Sequence, residues 1–242
     1  MKTKPFLYTS LSPALLNLYD VSSSIVVIID VLRATSTIAA ALHNGAKSII
    51  PVDSVAECIK LGKQMEVITA GERDGQIAEG LEYGNSPFTY PAEFINGKTL
   101  VLTTTNGTKL IHMALAENAK GIITGSFSNL SAVCKYITEQ NQNVILACAA
   151  WKDRVNLEDT LFAGVVINRI KDKFSINCDS SKIAETLYME AREDLYEFMK
   201  KNDASHYHRL MNFGLEKDIR YCLTIDNHNV LPMYKDGRLL SK

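Results

Sequence analysis

The 242-residue chain is 46% hydrophobic and 22% charged with a formal net charge of -1, a balance that excludes a general affinity for nucleic acid or for an anionic membrane. Five cysteines, an odd number without paired spacing, exclude a disulfide framework and a zinc ribbon and point to a reduced cytosolic setting. Met1-Lys2-Thr3-Lys4-Pro5 leads into no signal-like apolar core, and Val26-Val27-Ile28-Ile29 is far too short to span a bilayer.

Phe6-Leu7-Tyr8-Thr9 precedes Ser12-Pro13, a helix-start signal. Val26-Val27-Ile28-Ile29 reads as a strand buried on both faces and ends in Asp30. Arg33 and the triplet Thr35-Ser36-Thr37 follow, and residues 38–42 read as a helix that closes near His43-Asn44-Gly45. Such a junction collects free N–H groups, hydroxyls and the positive end of a helix dipole, all favourable to an anion. A plainer reading makes Thr35 or Ser36 an N-cap and Asp30 a turn residue, but cap chemistry does not need the Arg33 guanidinium. A strand at 48–52, an amphipathic helix at 55–65 and a strand at 67–70 complete a β-α-β-α-β series, which predicts a largely parallel, right-handed arrangement. Residues 71–91 form a long excursion rich in glycine and charge, including Glu72, Arg73 and Asn85, and a loop of that length between strands is expected to be functional.

A strand at 99–102 enters the turn Thr103-Thr104-Thr105-Asn106-Gly107-Thr108, then a helix at 109–115 and a strand at 121–124 that runs into Ser126, Ser128 and Asn129. This block parallels the first at an offset of 73, with Thr108 falling on Thr35, and suggests an internal α/β duplication whose two hydroxyl-rich turns face one site. The length accommodates one domain, or two α/β lobes of about residues 1–95 and 96–242 that share that site. A buried strand at 143–149 is followed by a polar loop with Lys152, Asp153 and Arg154, and by a helix from Leu157 with Glu158 and Asp159 in its first turn. Residues 183–200 and 204–213 read as helices covering the sheet, and 219–223 and 230–234 as added edge strands. The expected fold is a three-layer α/β/α sandwich with a largely parallel or mixed sheet.

Three hydroxyl-rich turns after apolar strands suit phosphate or another oxyanion. No Gly-x-x-x-x-Gly-Lys-Ser/Thr occurs, which argues against a nucleotide triphosphatase, and no Gly-x-Ser-x-Gly supplies a serine hydrolase elbow. Cys148 and Arg154 have the spacing of a cysteine phosphatase loop, but the insert Ala149-Ala150-Trp151-Lys152-Asp153 lacks glycine and carries a tryptophan, so Cys148 reads as a buried strand residue. The five histidines show no metal spacing, and His206 and His208 do not share a helical face. Carboxylates near the turns suit Mg²⁺, which takes oxygen ligands and bridges them to phosphate.

Ile29-Asp30-Val31-Leu32-Arg33-Ala34-Thr35-Ser36-Thr37, Gly71-Glu72-Arg73, Gly84-Asn85-Ser86-Pro87, Thr103-Thr104-Thr105-Asn106-Gly107-Thr108, Gly125-Ser126-Phe127 and Leu157-Glu158-Asp159 occur in that order. Together, over most of the chain, they resemble the Mg²⁺-dependent 2-phosphosulfolactate phosphatases. The resemblance implies hydrolysis of (2R)-O-phospho-3-sulfolactate to 3-sulfolactate and phosphate, a step associated with coenzyme M synthesis. One departure is Ala149-Ala150, where the family is expected to have Ala-Gly.

On this reading Asp30, Glu158 and Asp159 hold Mg²⁺, directly or through water, and with Arg33 are the catalytic residues. Arg33, Thr35, Ser36 and Thr37 with Thr105, Asn106, Gly107 and Thr108 hold the phosphate. Glu72, Arg73, Asn85, Ser126 and Asn129 meet the rest of the substrate, and local positive charge comes from Arg33, Arg73, Lys109, Lys152 and Arg154. Asp30 lacks the Asp-x-Asp pattern of the haloacid dehalogenase class, which favours attack by water over an aspartyl-phosphate. Two alternatives stand beside this: a phosphatase for another phosphorylated 2-hydroxy acid, and a phosphometabolite-binding module without turnover. Acidic residues beside the turns argue against the second, since a pure anion binder gains nothing from added negative charge. The expected partners are a small phosphorylated acid and a second copy of the chain, with no nucleic acid and no membrane.

Overall fold

The computed structural model describes residues 4–242; the leader reading of Met1-Lys2-Thr3 lies outside them. The strands are β1 (Leu7–Ser10), β2 (Ser24–Ile29), β3 (Ser48–Pro51), β4 (Ile68–Arg73), β5 (Gln76–Ile77), β6 (Thr99–Thr103), β7 (Gly121–Gly125), β8 (Asn143–Cys148), β9 (Pro232–Lys235) and β10 (Arg238–Ser241). The helices are α1 (Ala34–His43), α2 (Val55–Met65), α3 (Ala92–Ile95), α4 (Gly107–Ala116), α5 (Leu130–Gln140), α6 (Leu157–Ile170), α7 (Asp179–Ala191), α8 (Leu195–Lys201), α9 (Ser205–Asn212) and α10 (Glu216–Cys222). One mixed sheet runs in the order β1-β8-β2-β7-β9-β10-β3-β6-β4-β5. The described residues contain no helix long and apolar enough to cross a membrane.

All six residues of β2 are buried, and they alternate between two cores. Ile25, Val27 and Ile29 pack under α5, α6 and the C-terminal helices, while Val26 and Ile28 pack under α1 and α4. A strand clothed on both faces has no polar side, which is why its sequence reads as one apolar run. Each such Val or Ile contributes about 1.5–3 kcal/mol by burial. The three-layer sandwich follows.

The offset of 73 is visible in the topology. Helices α1 and α4 span 34–43 and 107–116, so their ends coincide at that offset. The first strands of the two blocks are exchanged. Strand β2 pairs with β7 and β8 of the second block, and β6 pairs with β3 and β4 of the first, all parallel. The hairpin β9–β10 fills the seam between the halves, antiparallel to both, through the single registered pairs Ile123↔Met233 and Leu239↔Ile49.

Three expected elements differ. Residues 230–234 do not add an edge strand; their strand lies mid-sheet, where it covers the open edges of β7 and β3. Residues 219–223 fall in and just after α10, because Ile219, Cys222 and Leu223 are spaced to bury one helical face. The stretch 183–200 is broken into α7 and α8 where Asp194 caps α8 by accepting from the Glu197 N–H at 2.9 Å.

Candidate active site

The exchange of strands brings the N-termini of α1 and α4 together at the carboxyl end of the sheet. Ala34 and Gly107, equivalent at the offset of 73, touch there. A Cβ on Gly107 would lie 3.0 Å from the Ala34 Cβ and 2.8 Å from Asp30 Oδ2. The equivalent threonines both close their turns, over five residues in one and four in the other: the Asp30 N–H donates to Thr35 Oγ1 at 3.2 Å, and the Thr104 N–H donates to Thr108 Oγ1 at 3.3 Å. Gly107 has an ordinary backbone conformation, so Gly107→Ala acts through crowding alone. It is expected to cost about 1–3 kcal/mol and to lower activity at least tenfold by displacing Asp30; the melting temperature and kcat check this.

Helix α6 supplies the acidic wall. It follows β8, the neighbour of β2, and its first turn places Glu158 and Asp159 beside Asp30 with no exposed surface. Asp159 Oδ1 accepts from the Val31 N–H at 2.8 Å, and its Oδ2 accepts from the Ala150 N–H at 3.1 Å and from Asn156 Nδ2 at 3.0 Å. Glu158 Oε1 meets His206 Nδ1, while its Oε2 is buried without a partner. Glu72, at the end of β4, caps the other turn: its Oε1 accepts from the N–H and Oγ1 of Thr105, both at 2.9 Å, and its Oε2 from the Gly75 N–H at 2.9 Å.

These environments set the carboxylates apart. Burial, with Glu72 and Glu158 adding like charge, pushes Asp30 up to about 6 against a hydrogen bond from the Ala34 N–H. Burial and the charges of Glu158 and Asp30 push Asp159 well above the carboxylate range. Burial raises Glu72 as well, but that residue is only partly buried, and its donors from Thr105 and Gly75, with Arg209 nearby, hold it below its ordinary value. Burial, then Asp159 and Glu158, push the Cys148 thiol up, the reverse of what a phosphatase nucleophile needs.

Arg33 is buried and donates from Nη1 to Asp218 Oδ1 at 2.6 Å. It lines a small cavity of about 20 Å³ together with Asp30, Glu72, Asn85 and Arg209, and a wider adjoining cleft of about 410 Å³ with Tyr83, Asn85, Ser86 and Phe213. Asn85 Oδ1 is buried without a partner where the two meet.

Other expected site residues have different neighbours. Ser36 donates to the Val31 carbonyl at 2.8 Å and, with Thr35, holds its own turn, while Thr37 donates to the Asn85 carbonyl at 3.3 Å and ties that turn to the 71–91 excursion. Thr108 likewise donates to the Thr104 carbonyl, and Asn106 precedes α4 without a side-chain cap bond. Asp30 accepts from the Ala34 N–H at the start of α1, and Glu72 accepts from Thr105 in the turn before α4. Arg73 bonds the Glu72 carbonyl and Thr103 Oγ1 rather than lining the cavity. Ser126 and Asn129 form a reciprocal cap, and Asn129 Nδ2 donates to the Val230 carbonyl at 3.0 Å, tying the tail down. Lys109 pairs with Asp153 in solvent, and Lys152 and Arg154 are exposed.

His206, Arg209, Asp218 and Asn156 enter the site unannounced by the sequence. The one available signal is the i, i+3 spacing of His206 and Arg209, which share a face of α9. Ala150 stands in the left-handed region at φ 56, so the glycine expected there has a backbone reason. Ala150→Gly is expected to raise stability by about 0.5–1 kcal/mol, read as an increase in melting temperature.

Residues 10–237 match the family model described as 2-phosphosulpholactate phosphatase. A protein of Thermotoga petrophila is 44% identical over 216 residues, 89% of this chain and 91% of its own. Proteins of Caldanaerobacter subterraneus and Clostridium acetobutylicum are each 38% identical, over 222 and 224 residues, covering 90% and 91% of this chain and 90% and 93% of theirs. All three carry the name probable 2-phosphosulfolactate phosphatase. With the sheet, the paired turns and the buried acids in place, these matches assign the chain to the 2-phosphosulfolactate phosphatase family of phosphoric monoester hydrolases.

Proposed function

We propose that the chain hydrolyses (2R)-O-phospho-3-sulfolactate to 3-sulfolactate and phosphate, with Mg²⁺ as cofactor. The observation that carries this reading is one small cavity lined by Asp30, Glu72 and Arg33, with Glu158 and Asp159 buried behind Asp30 and a wider cleft adjoining it. The donor set is suited to Mg²⁺, which takes one or two carboxylates and keeps waters and substrate oxygens for the rest. Asp30, together with the unpartnered Oε2 of Glu158, would hold it, and Asp159, engaged by three N–H donors, would brace the loop behind them. Among the described residues no three His, Cys, Asp or Glu side chains are grouped to hold a metal ion. When bound, the ion would supply Lewis-acid stabilisation of charge on the phosphoryl oxygens.

The chain's own residues do the rest. Arg33 is pre-oriented by Asp218 and meets a substrate anion without reorganising. The small cavity, where Arg33 and Arg209 stand with Asp30 and Glu72, would take the phosphoryl end, while the cleft past Asn85 would take the carboxylate and sulfonate. Burial of the acids excludes bulk water and strengthens every charge interaction at the reacting phosphorus.

Phosphate release from a panel of phosphorylated 2-hydroxy acids, with Mg²⁺ and with chelator, tests the reading. Release from phosphosulfolactate that needs the metal is expected. Faster turnover of phospholactate, or equal turnover in chelator, would overturn the substrate or the cofactor respectively.

A further inference from the structure

Helix α9 brings a second guanidinium to the site. We propose that Arg209 grips the phosphoryl oxygens of the substrate and that His206 is its positioning residue, an inference that rests on the phosphatase activity above and adds a clamp to it.

Arg209 lines the small cavity together with Asp30 and Glu72. Its charge is felt by Glu72, Asp74, Glu158 and Asp30, yet among the described residues it makes no ion pair within 4.0 Å. Its Nε is buried without an acceptor. An arginine in that condition lacks an oxygen, and a buried N–H without a partner is costly. A phosphoryl group in the cavity supplies the acceptor, and the planar fork of a guanidinium matches two of its oxygens.

The side chain is held in place from two directions. Trp151 stacks on it, with Arg209 Cζ 4.8 Å from the ring centre. Arg209 Nη2 meets His206 Nε2, and His206 Nδ1 meets Glu158 Oε1. Guanidinium nitrogens only donate, so Nε2 of His206 must accept, and the imidazole proton resides on Nδ1 and is given to Glu158. The chain Arg209, His206, Glu158 therefore has one direction. It fixes one Arg209 N–H on the imidazole and leaves the buried Nε–H without a protein acceptor. It also links the clamp to the carboxylate whose other oxygen has no protein partner.

The test follows the binding of inorganic phosphate by titration calorimetry, a readout that does not depend on the stack of Arg209 on Trp151. Arg209→Ala is expected to weaken phosphate binding at least tenfold and to lower kcat by about 10²–10³. Added guanidinium ion is expected to restore about tenfold or more of that rate. Arg209→Lys, which keeps the charge but not the fork, should stay within about threefold of Arg209→Ala for phosphate binding. His206→Gln, whose amide oxygen can still accept from Arg209, should outperform His206→Ala in kcat with little change in KM. Unchanged phosphate binding in Arg209→Ala, or in Arg209→Lys should the alanine variant fail to fold, overturns the proposal, as does an Arg209→Ala rate that guanidinium does not restore. Arg209-dependent phosphate binding in a wild-type protein that does not cleave phosphosulfolactate would sustain the clamp and sink the substrate assignment; cleavage that ignores Arg209 would do the opposite.

Discussion

Asp30→Asn is expected to remove activity and stabilise the protein. Asp30 is buried beside Glu72 and Glu158, and in the metal-free protein its carboxyl is pushed up to about 6 from an ordinary 3.8. A group that holds its proton more tightly folded than unfolded contributes its full stability below the unfolded value. It loses that contribution as pH rises through the folded value. Wild-type stability in chelator should therefore fall from about pH 4 to pH 6 and stay low, by on the order of 3 kcal/mol. Asp159 adds to the fall, since it is shifted in the same direction. The asparagine carries no charge to bury, keeps an oxygen for the Ala34 N–H, and should melt higher than wild type at pH 8 without metal. Mg²⁺ should then raise the wild-type melting temperature and leave the variant's nearly unchanged, because ligand stabilisation scales with binding to the folded state. The variant's kcat should drop by about 10³ or more. A variant that melts lower in chelator, or that retains a tenth of wild-type activity, would mean that Asp30 is a structural residue.

The contrast between Asp30 and the hydroxyls marks the limit of what the chain discloses by itself. Local signals carried the core: the apolar run Val26–Ile29 within β2, the amphipathic pattern of α2, and the offset of 73 that places Gly107 on Ala34. Asp30 was legible as a candidate because it ends an apolar strand and is followed by Arg33, a residue that turn chemistry does not need. The roles of Thr35 and Ser36 were not legible, since a hydroxyl that closes its own turn and one that awaits an anion look alike in sequence. The exchange of β2 and β6 could not be read either. It depends on which edge each strand finds, and a parallel unit carries the same pattern in either half. His206, Arg209 and Asp218 were hidden because α9 and α10 are amphipathic helices whose polar groups face the site. Pattern alone gives such groups to solvent.

Breaking the Arg33–Asp218 pair carries the largest expected cost in stability. The two side chains are 6% and 8% exposed and 2.6 Å apart, and they join the turn after β2 to α10, 185 residues later. Asp218→Ala leaves a guanidinium in a nearly dry site with only the Gly75 carbonyl, at 3.4 Å, as a protein acceptor. A buried charge stripped of its partner costs about 3–5 kcal/mol, which for a chain of this size is a fall of roughly 10 °C in melting temperature. Arg33→Met removes the other half, and the double variant should be more stable than Asp218→Ala alone, because no uncompensated charge remains. The coupling energy from that cycle separates a true buried pair from two independent residues. Activity should divide differently. Asp218→Ala keeps Arg33 in the chain but frees its orientation, so KM should rise and kcat fall modestly, whereas both Arg33 variants should lose most of kcat. If Asp218→Ala melts within about 2 °C of wild type, or if the double variant is the least stable of the three, the pair does not anchor α10 and Arg33 owes its position to the β2 turn alone.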